Sequence, residues 1–400
     1  MNKMFGIGIV GAGDILYYHA SSLGALRDKA RFIGLADLNK ISLGKASNRY
    51  FVPYTFTDYQ NLLKRDDIDV IIVATPPATH EQIVIDALSA GKHVICEKPM
   101  AHTLESADRI IEAGNKYQGK LSFCYQFRFM PEIRRIIWLR DNGFLGNMIF
   151  GNFLRITLKG STGNWWGQWN TAGGGVVITQ FIHQLDMIIQ IFGNPVSVFA
   201  EMDTLQQDIE SEDTFGATIK FENGAIVGCG ATLNAHRVAE KFDVIGERAS
   251  VHLPWAVCSN DRRHMRKLIK AMNQEKSIAE FHKQGSISSI VKKIKNEFVG
   301  DGIPAKVMRT VLPKLGIQIQ IGEPPLHKSL IAAFLDAVRN NFEVPVSAEE
   351  ARKSLELCTA IYTSAITGEI VSLPLAKSTP FYKGINADVY RNRKTNRTSR

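Results

Sequence analysis

The sequence predicts an α/β protein in two parts: a parallel sheet covered by helices on both faces, then an α/β region built on an open, largely antiparallel sheet. Three observations carry this reading. The 400 residues exceed what one ordinary hydrophobic core organises. Up to about residue 125, short apolar runs alternate with helix-like stretches. From about residue 147 the apolar runs lengthen and follow one another through turn signals.

The first set of runs lies at 4–10, 31–36, 69–74, 93–96 and 120–125. They are apolar on both faces, as the strands of a doubly covered parallel sheet must be. Between them, Thr79 to Ala90 places Ile83, Val84, Ala87 and Leu88 on one helical face. A second helix, N-capped by Thr103, turns Leu104, Ala107, Ile110 and Ile111 inward. In the second part, segments 147–158, 196–203, 213–221, 225–232 and 241–253 read as strands, with Glu222-Asn223-Gly224 as a turn between two of them. Helices are expected over 328–340 and 347–367, the latter opening with a capping box from Ser347 to Glu350. The boundaries follow: 1–127 and 128–376, with a basic insert at 259–325 and a basic tail at 377–400.

A hydrophobic fraction of 45% with 22% charged residues is that of a folded globular chain. No apolar run approaches the roughly 18 residues of a membrane span. Met1-Asn2-Lys3 leads straight into Phe5–Val10, a core strand rather than a signal peptide. Cys96, Cys124, Cys229, Cys258 and Cys358 are scattered, with no C-x-x-C spacing, so reduced thiols, a cytoplasmic location and no metal site are expected. The net charge of +9 is uneven. Residues 259–328 hold 14 Lys/Arg against 6 Asp/Glu, and residues 377–400 hold 7 against 1, which leaves the rest of the chain acidic. Nucleic-acid binding by the fold is therefore not expected.

The insert carries Met265, Leu268, Ile269 and Met272, then Ile287, Ile290, Val291, Ile294 and Phe298, at helical spacing with Lys and Arg opposite. Such segments either cap the second domain or an oligomer contact, or lie on an anionic membrane surface, helped by Arg391, Arg393, Lys394, Arg397 and Arg400.

After the first strand comes Gly11-Ala12-Gly13-Asp14-Ile15-Leu16. Gly11 permits a tight turn, and Gly13 lets backbone approach a pyrophosphate at a helix N-terminus, as in a Rossmann dinucleotide site. Leu16 stands where the third glycine of that pattern falls. Asp37 ends the second strand, 24 residues after Gly13. A carboxylate there accepts hydrogen bonds from ribose hydroxyls and repels a 2′-phosphate, which favours NAD over NADP.

Two further stretches are more specific: Ala74-Thr75-Pro76-Pro77-Ala78-Thr79-His80, and Ala90-Gly91-Lys92-His93-Val94-Ile95-Cys96-Glu97-Lys98-Pro99. Over about 1–258 and 326–376 the chain resembles the family of glucose-fructose oxidoreductase, inositol dehydrogenase and the MocA rhizopine-catabolism protein. The resemblance implies that Thr75, Pro76, Pro77, His80, Glu97 and Gln126 line the cofactor along with residues 11–15. It also implies that Lys98, beside the cofactor with them, binds the reacting hydroxyl, and that the peptide before Pro99 is often cis.

A second signature runs Gly173-Gly174-Gly175-Val176-Val177-Ile178-Thr179-Gln180-Phe181-Ile182-His183-Gln184-Leu185-Asp186. A helix there puts Thr179, His183 and Asp186 on one face. The resemblance places the catalytic histidine at His183. Many polyol dehydrogenases of the family carry Asp, and others Asn, where this chain has Thr179. A hydroxyl stabilises an imidazolium less than a carboxylate does, so His183 is expected to be a less strongly tuned base. Asp186 either serves a substrate hydroxyl or pairs within the helix. By the same resemblance Gln126 contacts the nicotinamide region and Arg128 a substrate hydroxyl or carboxylate. The loop Asn164-Trp165-Trp166-Gly167-Gln168-Trp169-Asn170 suits either stacking on a sugar, with Trp169 in the substrate site, or ordinary core packing.

The reading is an NAD-dependent oxidoreductase, acting as a homo-oligomer on a secondary hydroxyl of a sugar, cyclitol or nucleotide sugar. Two alternatives share these motifs: a redox-assisted NAD-dependent glycosidase, and a non-catalytic NAD-binding regulator.

Overall fold

The computed structural model describes residues 4–158, 165–253, 256–258, 261, 263–265, 267, 268, 271 and 325–393. The first sheet contains β1 (Phe5–Val10), β2 (Ala30–Ala36), β3 (Tyr54–Phe56), β4 (Val70–Val73), β5 (His93–Cys96) and β6 (Leu121–Phe123). All neighbours are parallel, in the order β3-β2-β1-β4-β5-β6. The order reverses between β1 and β4, and ligands of open parallel sheets collect at that point beyond the carboxyl ends of the strands. Five helices link these strands: α1 (Leu16–Gly24), α2 (Lys40–Tyr50), α3 (Tyr59–Leu63), α4 (His80–Ser89) and α5 (Leu104–Lys116). The Thr103 hydroxyl caps α5 by accepting from Ser106 N at 3.0 Å, as its sequence position indicates. β3 is absent from the expected strands because it is a short edge strand with largely exposed side chains, and it gives no apolar run.

After α6 (Pro131–Asp141) the chain enters the second sheet with β7 (Met148–Leu158). A helical stretch follows, with α7 (Trp169–Ala172), a π-turn at Val177–Phe181 and α8 (Ile182–Phe192). The strands β8 (Pro195–Asp203), β9 (Thr214–Phe221), β10 (Ile226–Thr232), β11 (Asn234–Gly246), β12 (Ser250–Leu253) and β13 (Ala256–Cys258) complete most of the sheet. Its order is β13-β12-β11-β7-β10-β9-β8-β14, where β14 is Val371–Ser372, and only the β7–β10 pair is parallel. The expected strand at 241–253 is in fact two, folded back at a tight turn that Gly246 N closes on Ala249 O at 2.9 Å. Residues 169–192 are long and apolar enough to cross a membrane by composition, but 89% of that window is buried inside the fold. They form its core helix.

Three helices close the chain: α9 (Pro325–Asn340), α10 (Ala348–Thr367) and α11 (Ala387–Arg391). α10 opens with the expected capping box between Ser347 and Glu350. α9 follows the second sheet in sequence, yet it packs against the first. Leu330, Ile331, Phe334 and Leu335 are buried with Phe5, Ile7, Ile9, Leu16 and Leu23, and Asp336 pairs with Lys29 at 2.8 Å. α9 thereby brings its first turn, with His327, to the carboxyl edge of that sheet.

Most of the basic insert, 272–324, lies outside the described residues. At its start, Asp261 Oδ1 accepts from the N–H groups of Arg263 and His264, and Leu268 is fully buried in the main core. The first expected apolar stripe is therefore committed, at Leu268, to the protein interior. The tail is also less free than its charge suggests. Arg393 is buried, its guanidinium paired with Asp203 and lying 3.8 Å over the Tyr390 ring.

Candidate active site

The turn after β1 has the shape its glycines foretell. Gly11 adopts φ +111°, and a Cβ there would stand 2.3 Å from Ala74 O, so only glycine fits. A Cβ on Gly13 would meet nothing within 4 Å, so this turn opens onto free space. Ala12 N donates to Asp37 Oδ2 at 2.6 Å and Asn39 N to Oδ1 at 2.7 Å, which fixes the Asp37 carboxylate beside the turn. Asp14 is exposed and Ile15 half-buried as the chain enters α1. That helix has no side-chain cap and no acidic residue in its first turn. The N–H groups of Leu16, Tyr17 and Tyr18 bond back to the carbonyls of Gly13, Asp14 and Ile15, so what the helix start offers an anion is its positive dipole end with no carboxylate opposing it.

The carboxyl end of β4 lies across from this turn. Thr75 and Pro76 are half-buried there and Pro77 is buried. His80, expected to line the cofactor, has both ring nitrogens engaged by the protein. It is fully buried between the carbonyls of Thr75, 2.8 Å from Nε2, and Pro99, 2.9 Å from Nδ1, and it ties the two loops together. Glu97 is buried as well. His19 Nε2 lies 2.8 Å from its Oε1, and His327 Nε2 stands at 3.8 Å, an electrostatic contact rather than a hydrogen bond. Burial alone would raise the Glu97 pKa, yet the His19 bond and the nearness of His327 hold it well below the usual range. Sequence reasoning missed both histidines, since neither stands in a motif with Glu97.

Lys98 follows through a cis peptide to Pro99, and its Nζ donates to Thr179 O at 3.0 Å. This bond joins the two sheets at the site. Thr179 does not orient the histidine as a carboxylate would; its hydroxyl donates to Gly175 O at 2.6 Å, and its main-chain oxygen holds Lys98. The π-turn at 177–181 breaks the regular α-helical ladder there.

His183 is buried, stacked on Phe127 at 4.4 Å and edge-on to Tyr125 at 6.2 Å, and its Nδ1 has no hydrogen-bond partner. Burial, then the nearby Lys98 cation, pushes its pKa well below the ordinary histidine value. Its imidazole is neutral near pH 7. Arg155, whose charge acts on His183, has its Nε buried without a partner, although its Nη1 pairs with Glu240 across β7 and β11. A buried imidazole nitrogen without a partner, beside the Lys98 cation, is a group left for a polar ligand.

All three expected substrate contacts are redirected. Asp186 is buried and takes a two-pronged ion pair from Arg128, at 2.8 Å from Nε and 2.7 Å from Nη2, while Arg128 Nη1 reaches Glu350 at 2.8 Å. Both side chains are spent on joining α8 to the start of α10. Trp169 is likewise internal. Its ring lies 5.2 Å from those of Tyr362 and Tyr390, and its Nε1 donates to Glu210 O at 3.1 Å. Of the three tryptophans in that loop only Trp165 is exposed; Asn164 lies outside the described residues.

Comparison with known proteins agrees with this geometry. The sequence model "Oxidoreductase family, NAD-binding Rossmann fold" matches residues 5–125, and the GFO/IDH/MocA C-terminal domain matches residues 133–252. The chain belongs to the glucose-fructose oxidoreductase, inositol dehydrogenase and MocA family. Among relatives, myo-inositol 2-dehydrogenase of Thermotoga maritima is 28% identical over 59% of this chain and 70% of its own length. D-glucoside 3-dehydrogenase of Escherichia coli is 26% identical over 55% of this chain and 68% of its own. Among solved structures, the WlbA dehydrogenase from Bordetella pertussis, in complex with NADH and UDP-GlcNAcA, superposes with a TM-score of 0.75 at 21% identity, covering 94% of this chain and 99% of that one. Levoglucosan dehydrogenase in complex with NADH gives 0.73 at 19%, covering 94% and 100%. These structures share the fold. For this member of the family, the open turn at Gly13, the start of α1 free of acidic side chains and the placed Asp37 carboxylate fit NAD.

Proposed function

We propose that this chain is an NAD-dependent dehydrogenase acting on a secondary hydroxyl of a sugar, cyclitol or nucleotide sugar. One observation carries the reading: Lys98, at the cofactor edge of the first sheet, is bonded to Thr179 O, one turn ahead of a buried, neutral His183. A neutral imidazole accepts the hydroxyl proton, and the lysine cation stabilises the alkoxide that forms. Bound NAD supplies the hydride acceptor. Phe127 and Tyr125 hold the imidazole plane, and burial keeps water from the ring. The names of the curated relatives, dehydrogenases of inositol, a glucoside and xylose, support the substrate class.

The test follows NADH formation from NAD across a panel of cyclitols, glycosides, free sugars and nucleotide sugars. His183→Ala is expected to lower kcat by roughly 10²–10⁴-fold with NAD affinity kept, and Lys98→Met by at least as much. A His183→Ala enzyme within a few-fold of the parent overturns this mechanism. Cleavage of an aryl glycoside without net NADH would replace it with the redox-assisted glycosidase.

We also infer self-association through the outer face of the second sheet. Phe150, Leu154, Phe199 and Ile226 are exposed together there, at registers separated by Gly228 and Thr218. Such a patch is larger than scattered surface residues. Light scattering on Phe150→Lys/Phe199→Glu should give a smaller species than the parent; an unchanged mass removes the face from the assembly. Peripheral membrane contact through 259–325 is proposed on the sequence pattern alone, and Leu268 and Arg393, both buried, contribute nothing to it.

A further inference from the structure

The three glycines at 173–175 are explained by what their missing side chains would strike. A Cβ on Gly173 would stand 2.8 Å from His102 O, one on Gly174 2.1 Å from the Tyr362 hydroxyl, and one on Gly175 1.9 Å from Glu212 O. Gly173 and Gly174 also have φ of +82° and +149°. The last two obstacles form one device. Glu212 is fully buried. Its Oε2 accepts from Gly175 N, and its Oε1 from Val177 N and the Tyr362 hydroxyl, all at 2.9 Å. Its main-chain oxygen accepts from Val176 N at 3.0 Å, and the Tyr362 oxygen accepts from Ile178 N at 3.3 Å. The N–H groups of four consecutive residues, 175–178, thus end on one glutamate and one tyrosine. These are the donors that a helix start leaves without an internal partner.

We infer that Glu212, braced by Tyr362, is a positioning residue that sets where the helical stretch carrying Thr179 and His183 begins, and so where the Lys98 anchor and the imidazole stand. The inference rests on the catalytic reading of His183 and Lys98. Glu212 and Tyr362 are both buried within the fold. They act through the backbone: the clamp holds 175–178, Thr179 O receives Lys98 two residues beyond Val177, and His183 follows one turn later.

The clamp has a chemical signature. Burial pushes the Glu212 carboxyl up to about 7, against the hydrogen bonds that favour its anion. When it takes a proton, one oxygen carries an O–H that needs an acceptor of its own and receives its N–H less strongly, so the cap changes within the neutral pH range. The ionisable groups facing Glu212 are Tyr362 and Cys358 from α10 and Tyr390 from α11, which is itself beside Arg393; burial raises all three above ordinary values. Around His183 stand Lys98, Glu97, Arg155 and His327. His183 itself is held far below 7.

The test is histidine-selective carbon NMR on the full chain with NAD, with the His183 signal identified by its loss in His183→Ala. In the parent protein the His183 signal should move with an inflection near pH 7 that is not its own titration. Glu212→Gln keeps the shape but turns an amide N–H₂ toward one of the two backbone donors. The inflection should vanish, the signal should be displaced, and the freed amide at 175 or 177 should exchange on the order of tenfold faster. Tyr362→Phe should shift the signal in the same direction and keep the inflection, and it carries the test if Glu212→Gln does not fold. Faster amide exchange with an unmoved His183 signal would make the clamp merely structural and overturn the inference. A persisting inflection in Glu212→Gln overturns it too. Turnover by His183→Ala decides the catalytic reading separately, because the ring signal of the parent needs no substrate.

Discussion

The two glycine-rich turns of this protein have similar compositions and opposite purposes. At Gly11–Gly13 the absent side chain of Gly13 leaves open space, where nothing of the protein comes within 4 Å. At Gly173–Gly175 every absent side chain is replaced by the protein itself: a carbonyl, a tyrosine hydroxyl and a glutamate backbone. A glycine that faces emptiness marks where a ligand approaches. One that faces a neighbour marks where the chain has drawn in on itself to hold something else in place. In this protein the second turn seats the helix of His183, and the first has the open approach that a dinucleotide pyrophosphate requires.

The contrast can be broken by adding one methyl group to each turn. Gly175→Ala forces a Cβ against main-chain atoms that cannot swing away. It should cost about 3 kcal/mol or more of stability, seen as a large fall in urea midpoint. If that variant unfolds where the parent does, the close approach at Glu212 is not real. Gly13→Ala should leave the urea midpoint unchanged, since its Cβ meets nothing, while weakening NAD by about 10-fold or more because the methyl occupies the approach to the pyrophosphate. Fluorescence titration with NADH measures it, and unchanged affinity would remove Gly13 from the cofactor turn.

Smaller effects sharpen the same comparison. Asp37 is held by Ala12 N and Asn39 N at the ribose end of the first turn. NAD should bind more tightly than NADP, and Asp37→Ser should narrow the gap by relieving repulsion of the 2′-phosphate. Equal affinities in the parent would contradict the placement. Smallest is Trp169→Phe, just ahead of the second turn. It loses the bond to Glu210 O, should cost about 1 kcal/mol of stability, and should leave the kinetic constants for substrate alone. A raised KM at unchanged stability would return Trp169 to the sugar site.

Much of this was legible in the chain. All strands of the first sheet but the edge strand β3 announce themselves because they are apolar on both faces, and the helix at Thr103 because its cap and its inward stripe are contiguous. Short-range signals failed where the deciding neighbour was remote. Asp186 and Arg128 each suggest a substrate contact when read alone, and they meet each other across 58 residues. Trp169 has the composition of a sugar platform, but its fate was decided by Tyr362 and Tyr390. Thr179 was weighed as a side chain, whereas the π-turn made its carbonyl the functional group.

The sequence by itself determined the two-part α/β plan, the glycine turn with its acid at Asp37, and the positions of Lys98 and His183. Each of these is written in residues a few places apart, where periodicity and turn chemistry act through the local backbone. Only the tertiary structure decided that α9 returns to the first sheet with His327 facing Glu97, and that Glu212 reaches back 35 residues to Val177. The physical reason is that a buried polar group must find its partner wherever packing puts one, and its desolvation cost depends on distance in space rather than along the chain.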